Sequence, residues 1–343
     1  MKETIYLVAG GTGGHINAAL SLGEFFKNEY EVKYISGTRY LDLKLFKNTN
    51  VLHLDSKPLR TKNPFTLIVN ILKNLVIFVR LIFKYIAKRP KFLIGAGGYI
   101  CGPTLLAAWM LGIPVFIIEQ NAIAGVTNKI LAKFSKKIFT NFIETKGLPS
   151  YKTIVSGNPI RSQIKFTLIK EKKNEINILV FGGSLGAKQI NEVIKKVLQK
   201  NFSKKVSIYH QVGKDLVDLS VKSNINYTQV EYIEDMQKAY ENCDLIIARA
   251  GASTISELRE VKKTSILIPF PFATDNHQYF NAINLKKENK FPVKVFDFKL
   301  DTDTLADMVY KEIEEFKVTL IEDENAPIGA NEIIGKEISK CLE

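Results

Sequence analysis

Two short glycine clusters, each preceded by an apolar run and followed by a helix-like one, constrain this chain most. The first is Gly10-Gly11-Thr12-Gly13-Gly14-His15. It follows Ile5-Tyr6-Leu7-Val8-Ala9 and precedes Ile16, Ala19, Leu20, Leu22, Gly23 and Phe26 at helical spacing. The second is Gly182-Gly183-Ser184-Leu185-Gly186, after the apolar run 176–181 and before a helical stretch from about Ala187 to Lys200. In a strand, glycine turn and helix, backbone N–H groups at the helix N-terminus face an anion, and the helix dipole adds to the attraction. Gly10 and Gly182 stand about half of the 343-residue chain apart. The chain therefore reads as two similar halves, each able to aim a helix end at a negative group.

The remaining pattern agrees with this reading. Apolar runs at 4–9, 31–35, 91–95, 113–118 and 137–141, then at 176–181, 206–211, 228–232, 244–248, 265–268 and 293–296, alternate with helical spacings. That alternation predicts an α/β chain with parallel sheets covered on both faces. A chain of this length also exceeds what one core usually serves, so two domains are expected. Gly157-Asn158-Pro159 reads as a turn and Thr167–Glu175 as a polar, Lys-rich linker. The junction is placed in 157–175, which gives domains 1–161 and 162–329. The spacing of Ile333, Ile334, Ile338 and Leu342 predicts a C-terminal helix over 330–343 that packs back on the first domain.

Cys101, Cys243 and Cys341 are odd in number and far apart, which fits free thiols in a reducing cytoplasm. Residues 1–4 run straight into a strand, so no signal peptide is expected. The net charge of +13 suits phosphorylated substrates or anionic lipid, or simply a Lys-rich surface. Lys and Arg are dispersed and no nucleic-acid signature is visible, so nucleic acid is not an expected partner.

Phe65–Ala87 is rich in Ile, Leu, Val and Phe, but Asn70, Lys73, Asn74, Arg80 and Lys84 interrupt it. Most of these polar positions share one stripe of a helix, leaving a wide apolar face. The longest unbroken apolar run is Leu75–Val79, far short of the ~20 residues a spanning helix needs. Two readings remain, a helix packed on the sheet or one whose outer surface also touches lipid. Arg60, Lys62, Lys84, Lys88 and Arg89 would suit anionic headgroups, making 59–89 the candidate membrane surface.

The first glycine loop does not register with G-x-G-x-x-G, because Ile16 stands where the third glycine is needed. The Walker pattern fails at Ala187. Hydride transfer and ATP hydrolysis lose ground accordingly. A third segment, Asp244–Leu258, ends a strand near Ala248, turns through small residues and opens a helix near Ser253. There, backbone N–H groups and the Thr254 hydroxyl could hold a diphosphate, with Glu257 one turn inside to accept ribose hydroxyls. Alternatively, Ser253 and Thr254 cap the helix and Glu257 completes a capping-box-like end. Pro269–Ala282 then runs a proline-rich loop into a helix crowded with amides, which both donate and accept as sugar hydroxyls require. Asp301-Thr302-Asp303 resembles a metal-binding D-x-D, but it opens a helical run and reads better as a cap.

Gly10–His15, Gly95–Tyr99, Glu119-Gln120-Asn121, Ala124–Asn128, Gly157–Arg161, Gly182–Ala187, Ala250–Glu257 and Asp275–Ala282 occur together in one order and spacing. In this they resemble, over nearly the whole chain, the undecaprenyl-diphospho-muramoylpentapeptide β-N-acetylglucosaminyltransferases of bacterial peptidoglycan synthesis. The resemblance implies a GT-B fold, two Rossmann-like domains facing across a cleft. The implied donor is UDP-N-acetylglucosamine and the acceptor undecaprenyl-diphospho-MurNAc-pentapeptide (lipid I), which becomes lipid II. It further implies a peripheral enzyme on the cytoplasmic face of the plasma membrane, with cell-wall synthesis proteins as partners and no cofactor or metal.

By the same resemblance, Ser184 and its loop contact the donor diphosphate with Thr254 nearby, Ser253, Ile255 and Ser256 also bind substrate, and Ala252 lies close to the sugar. Ile233 meets the uracil through its backbone and Glu257 the ribose. Gln278, Asn281 and His277 hold the sugar. Thr12, Gly13, Gly14, His15, Asn121 and Arg161 face the donor and the acceptor's diphosphate. Two positions depart from the family pattern: Ile16-Asn17 replaces an expected proline after His15, and Ile118 stands where a histidine is common. The implied reaction is inverting attack of the muramoyl C4 hydroxyl on the anomeric carbon. His15 is a candidate base, its ordinary pKa near neutrality suiting proton transfer, or a hydrogen-bond donor to phosphate. Glu119 is the other candidate base, or it orients the loop around Asn121. His53 and His210 read as structural. A diacylglycerol glycosyltransferase, a UDP-N-acetylglucosamine 2-epimerase and a non-catalytic sugar-nucleotide-binding subunit are the alternatives.

Overall fold

A computed structural model describes residues 2–59, 61, 63–161, 163–166, 175–183, 186–214, 224–317 and 329–343. The chain divides into two compact units, Met1–Arg161 with Pro327–Glu343, and Ser162–Ala326.

The first unit runs β1 (Thr4–Ala9), α1 (Gly13–Phe26), β2 (Glu31–Ser36), α2 (Tyr40–Leu45), β3 (Val51–His53), α3 (Pro64–Ala87), β4 (Leu93–Gly97), α4 (Cys101–Met110), β5 (Val115–Glu119), α5 (Val126–Leu131), β6 (Lys137–Thr140) and β7 (Thr153–Val155). Its strands form one parallel sheet in the order β3-β2-β1-β4-β5-β6-β7. β1, β4 and β5 are buried along their whole length, as central parallel strands covered on both faces must be. β3 and β7, which no apolar run announced, are three-residue edge strands and only partly buried.

The second unit runs β8 (Glu175–Phe181), α6 (Lys188–Val197), β9 (Lys205–Gln211), β10 (Ile225–Val230), α7 (Met236–Glu241), β11 (Leu245–Ala248), α8 (Ala252–Val261), β12 (Thr264–Leu267), α9 (His277–Glu288), β13 (Val293–Val295) and α10 (Thr302–Glu314). Its strands pair in parallel, in the order β10-β9-β8-β11-β12-β13. β10 begins three residues before the expected run at 228, and α6 ends at Val197 rather than Lys200. The core of this unit packs Ile190, Val193 and Val197 of α6 with Leu305 and Val309 of α10 over Ile178, Ile208 and Ile247.

The chain closes with α11 (Ala330–Leu342), which returns to the first unit. Ile334 and Ile338 join the core formed by Leu22 and Phe26 of α1. Asn331 Nδ2 donates to Ser21 Oγ at 3.0 Å, and that hydroxyl donates to the Ile160 carbonyl at 2.6 Å. One serine on α1 thus holds the chain where it leaves the first unit and where it re-enters.

α3 starts at Asn63, whose side chain accepts from Phe65 N and Thr66 N, with Pro64 in the first turn. Ile77, Leu81 and Tyr85 enter the unit's core. By length and composition α3 matches a spanning helix, with a mean hydropathy of 2.0 over its most apolar window. The packed face shows instead that it belongs to this unit. Its polar positions have a use the stripe argument did not foresee. Asn74 accepts from Ser56 Oγ at 2.8 Å and donates to the Lys57 carbonyl at 2.8 Å, while Asn70 donates to the Pro58 carbonyl at 2.8 Å. These two amides tie down the chain segment leading into the helix. The opposite side leaves Phe65, Ile68, Leu72, Leu75, Val76, Phe83 and Ile86 exposed.

Candidate active site

In an open parallel sheet, the strand order reverses where successive connections pass to opposite faces, and the crevice there is the usual binding site. In the first unit this point lies between β1 and β4, and in the second between β8 and β11. Both glycine turns singled out by sequence leave the C-terminal ends of these strands.

At the first switch point two loops interlock. Gly10 N donates to the Gly97 carbonyl at 3.1 Å. Gly98 has φ +94°, and a Cβ there would collide with the Gly10 carbonyl oxygen, so only glycine lets the loops meet. Thr12 caps α1, accepting from His15 N at 3.3 Å. His15 Nδ1 lies 3.1 Å from the Gly10 carbonyl oxygen. A carbonyl only accepts, so Nδ1 carries the proton and, in the neutral ring, Nε2 carries the lone pair. The Gly11 N–H is used within the fold. It donates to Asp42 Oδ1 at 2.9 Å, and Asp42 is buried.

Glu119, at the end of β5, is buried and saturated with donors. Oε1 accepts from Asn121 N at 2.9 Å, and Oε2 from Gly125 N at 3.0 Å and Asn128 Nδ2 at 2.8 Å. These bonds tie the carboxylate to the loop that carries Asn121. Gln120 Nε2 spans from β5 to the Gly14 and Ala96 carbonyls at 3.4 and 3.3 Å. Thr12, Gly13, Gly14, His15 and Asn121 are thereby gathered at one end of this sheet. Arg161 follows Ile160, which Ser21 of α1 holds, and its Nε is buried without a hydrogen-bond partner among the described residues.

In the second unit Gly183 and Gly186 have φ +96° and +77°. Ser184 lies outside the described residues. The turn after β11 delivers α8, whose N-cap is Gly251 rather than Ser253 or Thr254. The capping alternative therefore fails: Ser253 Oγ is buried without a partner among the described residues. Glu257 completes no capping box but accepts from Tyr240 Oη at 2.8 Å. Ser256 Oγ donates back to the Ala252 carbonyl at 2.9 Å, while Ile255 is fully buried and its N–H donates to the Gly251 carbonyl at 2.9 Å, so the structure does not offer Ile255 to a ligand. Ile233, also buried, lines a cavity of about 520 Å³ with Tyr209, Tyr232 and Lys238.

α9 carries the amides. Phe270 N donates to Gln278 Oε1 at 2.9 Å, and Asn281 Nδ2 donates to the Ala250 carbonyl at 3.2 Å. His277 Nδ1 donates to the Thr274 carbonyl at 2.8 Å. A bidentate pair between Arg259 and Glu288, with contacts of 2.6–3.0 Å, locks α9 to α8. Arg249 is buried and donates to Gln189 Oε1, the Ile268 carbonyl and the Pro269 carbonyl. Burial pulls its guanidinium pKa down to about 10. Asp301 caps α10, accepting from Asp303 N and Thr304 N at 2.9 Å each, so the D-x-D acts as a cap. Among the described residues no group of three His, Cys, Asp or Glu side chains is placed to hold a metal.

Two family models cover the chain: the glycosyltransferase family 28 N-terminal domain matches residues 5–140 and the family 28 C-terminal domain residues 177–332. A UDP-N-acetylglucosamine–N-acetylmuramyl-(pentapeptide) pyrophosphoryl-undecaprenol N-acetylglucosamine transferase from Rickettsia bellii is 36% identical, over 93% of this chain and 92% of its own length. The protein of the same description from Rickettsia felis is also 36% identical, over 82% of this chain and 83% of its own. This chain belongs to glycosyltransferase family 28. The crystal structure of Acinetobacter baumannii MurG is 27% identical and superimposes with a TM-score of 0.76, covering 98% of this chain and 99% of that one. The two parallel-sheet units are the GT-B fold.

Three residues of this family 28 chain escaped sequence reasoning: Asp42 beneath the first glycine loop, Tyr240 against Glu257, and Arg249 under the Pro269 loop. Each meets its partner across a sequence gap that no local spacing rule links. Arg249 alone carried a signal, as a charge ending the apolar run 244–248.

Proposed function

We propose that the chain transfers N-acetylglucosamine from UDP-N-acetylglucosamine to the C4 hydroxyl of undecaprenyl-diphospho-MurNAc-pentapeptide, forming lipid II with inversion. One observation carries this reading. Both glycine turns stand at the switch points of their sheets, in a chain 36% identical over nearly its full length to transferases described by that reaction.

In this scheme the second unit takes the donor. The diphosphate lies against the N-terminus of α8, where the first backbone N–H groups of the helix, Ser253, Thr254 and Ser184 offset its charge. Glu257 accepts the ribose hydroxyls, the Ile233 backbone meets the uracil, and Gln278, Asn281 and His277 hold the sugar beside Ala252. Thr12, Gly13, Gly14, Asn121 and Arg161 of the first unit serve the acceptor's diphosphate. His15 Nε2, left with its lone pair by the Nδ1 bond to Gly10, takes the proton of the C4 hydroxyl as that oxygen attacks the anomeric carbon. The anomeric C–O bond to UDP breaks, and its electron pair leaves on the β-phosphate. Fixed amide dipoles aimed at that oxygen stabilise the transition state without reorganising.

The exposed apolar side of α3 supports attachment to a lipid surface as a peripheral enzyme, which keeps it beside a polyprenyl acceptor. Lys84, Lys88 and Arg89 at its C-terminal end favour anionic headgroups. No step of the scheme uses a metal.

The test is incubation with radiolabelled UDP-N-acetylglucosamine and a lipid I analogue, in EDTA. Label is expected in the lipid phase, and none with UDP-glucose as donor. Label that stays aqueous, or conversion of the donor without acceptor, would overturn the reading.

A further inference from the structure

Tyr240 is fully buried on α7, and its ring meets Phe181, the last residue of β8, edge to face with centroids 6.2 Å apart. Its hydroxyl donates to Glu257 Oε2 at 2.8 Å, and Glu257 is itself buried. An encased ring has no alternative rotamer, so the hydroxyl is a donor fixed in space. A fixed donor helps to order the carboxylate before a ligand arrives, so less entropy is lost on binding.

We propose that Tyr240 is a positioning residue for nucleotide recognition. By holding one carboxylate oxygen of Glu257, it sets the plane in which that carboxylate receives the vicinal hydroxyls of the donor's ribose. The inference rests on the reading of Glu257 as the ribose contact and adds how that contact is kept ready.

The position of the pair in the fold supports this. Glu257 stands in the second turn of α8, the helix that starts at the switch point between β8 and β11, and Tyr240 reaches it from the preceding helix. Phe181, which braces the ring, ends the strand that leads into the second glycine turn. One aromatic contact therefore links the diphosphate loop to the ribose carboxylate.

The experiment measures binding of UDP and of 2′-deoxy-UDP by calorimetry to the full chain, to Tyr240→Phe and to Glu257→Gln. The wild-type protein is expected to prefer UDP by about tenfold or more, the worth of one hydrogen bond to a charged group. Tyr240→Phe is expected to weaken UDP binding by roughly tenfold while leaving 2′-deoxy-UDP within about twofold, so that discrimination collapses. A Phe variant that binds 2′-deoxy-UDP normally is folded by that measurement. Tyr240→Met, whose adaptable side chain fills the space without a hydroxyl, serves if the Phe variant is insoluble. Equal weakening of both ligands would mean that Tyr240 only supports the fold, and unchanged discrimination would mean that Glu257 needs no help. Either result overturns the proposal. If Glu257→Gln keeps the wild-type preference, or the wild-type protein shows none, the ribose reading of Glu257 fails first and Tyr240 falls with it.

Discussion

Asn128 Nδ2 donates to Glu119 Oε2 at 2.8 Å, inside a carboxylate that also accepts the backbone N–H groups of Asn121 and Gly125. A carboxylate so engaged holds two loops in place, and its oxygens are committed to those donors. Glu119→Gln is expected to destabilise the protein by about 1–3 kcal/mol, because an NH₂ group would then face donors. The acidic limb of the kcat profile should keep its position. Urea unfolding and a pH–rate profile check the two halves of this expectation, and loss of the acidic limb would restore Glu119 as the base.

His15 is expected to behave in the opposite way. His15→Ala should lower kcat by about 10²–10⁴-fold with a small change in KM for the donor. His15→Asn tests the assignment more sharply. The Asn amide can keep the donation to the Gly10 carbonyl that Nδ1 makes now, yet it offers no base. It should therefore be as slow as the Ala variant, and near wild-type activity in single-turnover assays would reduce His15 to a loop anchor.

His210 gives the fold a pH dependence unrelated to the site. Burial pushes its imidazole down to about 4 from the ordinary 6.5, so the folded protein resists a proton that the unfolded chain accepts. Its contribution to stability is fully present above pH 6.5 and is lost as pH falls towards 4, by up to about 3 kcal/mol. Urea midpoints at pH 7 and pH 4.5 should differ less in His210→Gln than in the wild-type protein.

Leu72, Val76 and Phe83 stand exposed on α3, whereas Ile77, Leu81 and Tyr85 fill the core. Replacing the exposed three with serine should weaken sedimentation with anionic vesicles by about a hundredfold, since each buried apolar side chain contributes about 1 kcal/mol or more. Transfer to a detergent-soluble acceptor should be unchanged. Unaltered vesicle binding would place the membrane contact elsewhere.

The doubly buried strands and both glycine turns were legible in sequence because their signals are local. A continuous apolar run can pack only at the centre of a parallel sheet, and Gly98 is needed because the Gly10 carbonyl lies where its Cβ would be. The edge strands β3 and β7 were not legible, since three half-buried residues leave no periodicity. Capping by Ser253 stayed open as an alternative in sequence because Ser and Thr usually cap. The actual N-cap is Gly251, which leaves the Ser253 hydroxyl buried beside the helix end. The anchoring of Gly11 by Asp42 and of Glu257 by Tyr240 depends on how α2 and α7 dock, which sequence spacing does not encode.

A crystal structure with UDP-N-acetylglucosamine bound tests the central claim most directly. The account expects the pyrophosphate within hydrogen-bond reach of Thr254 and the first amides of α8, the ribose hydroxyls on Glu257, and no cation between the phosphates. A donor seated away from α8, or phosphates bridged by a metal ion, would contradict it.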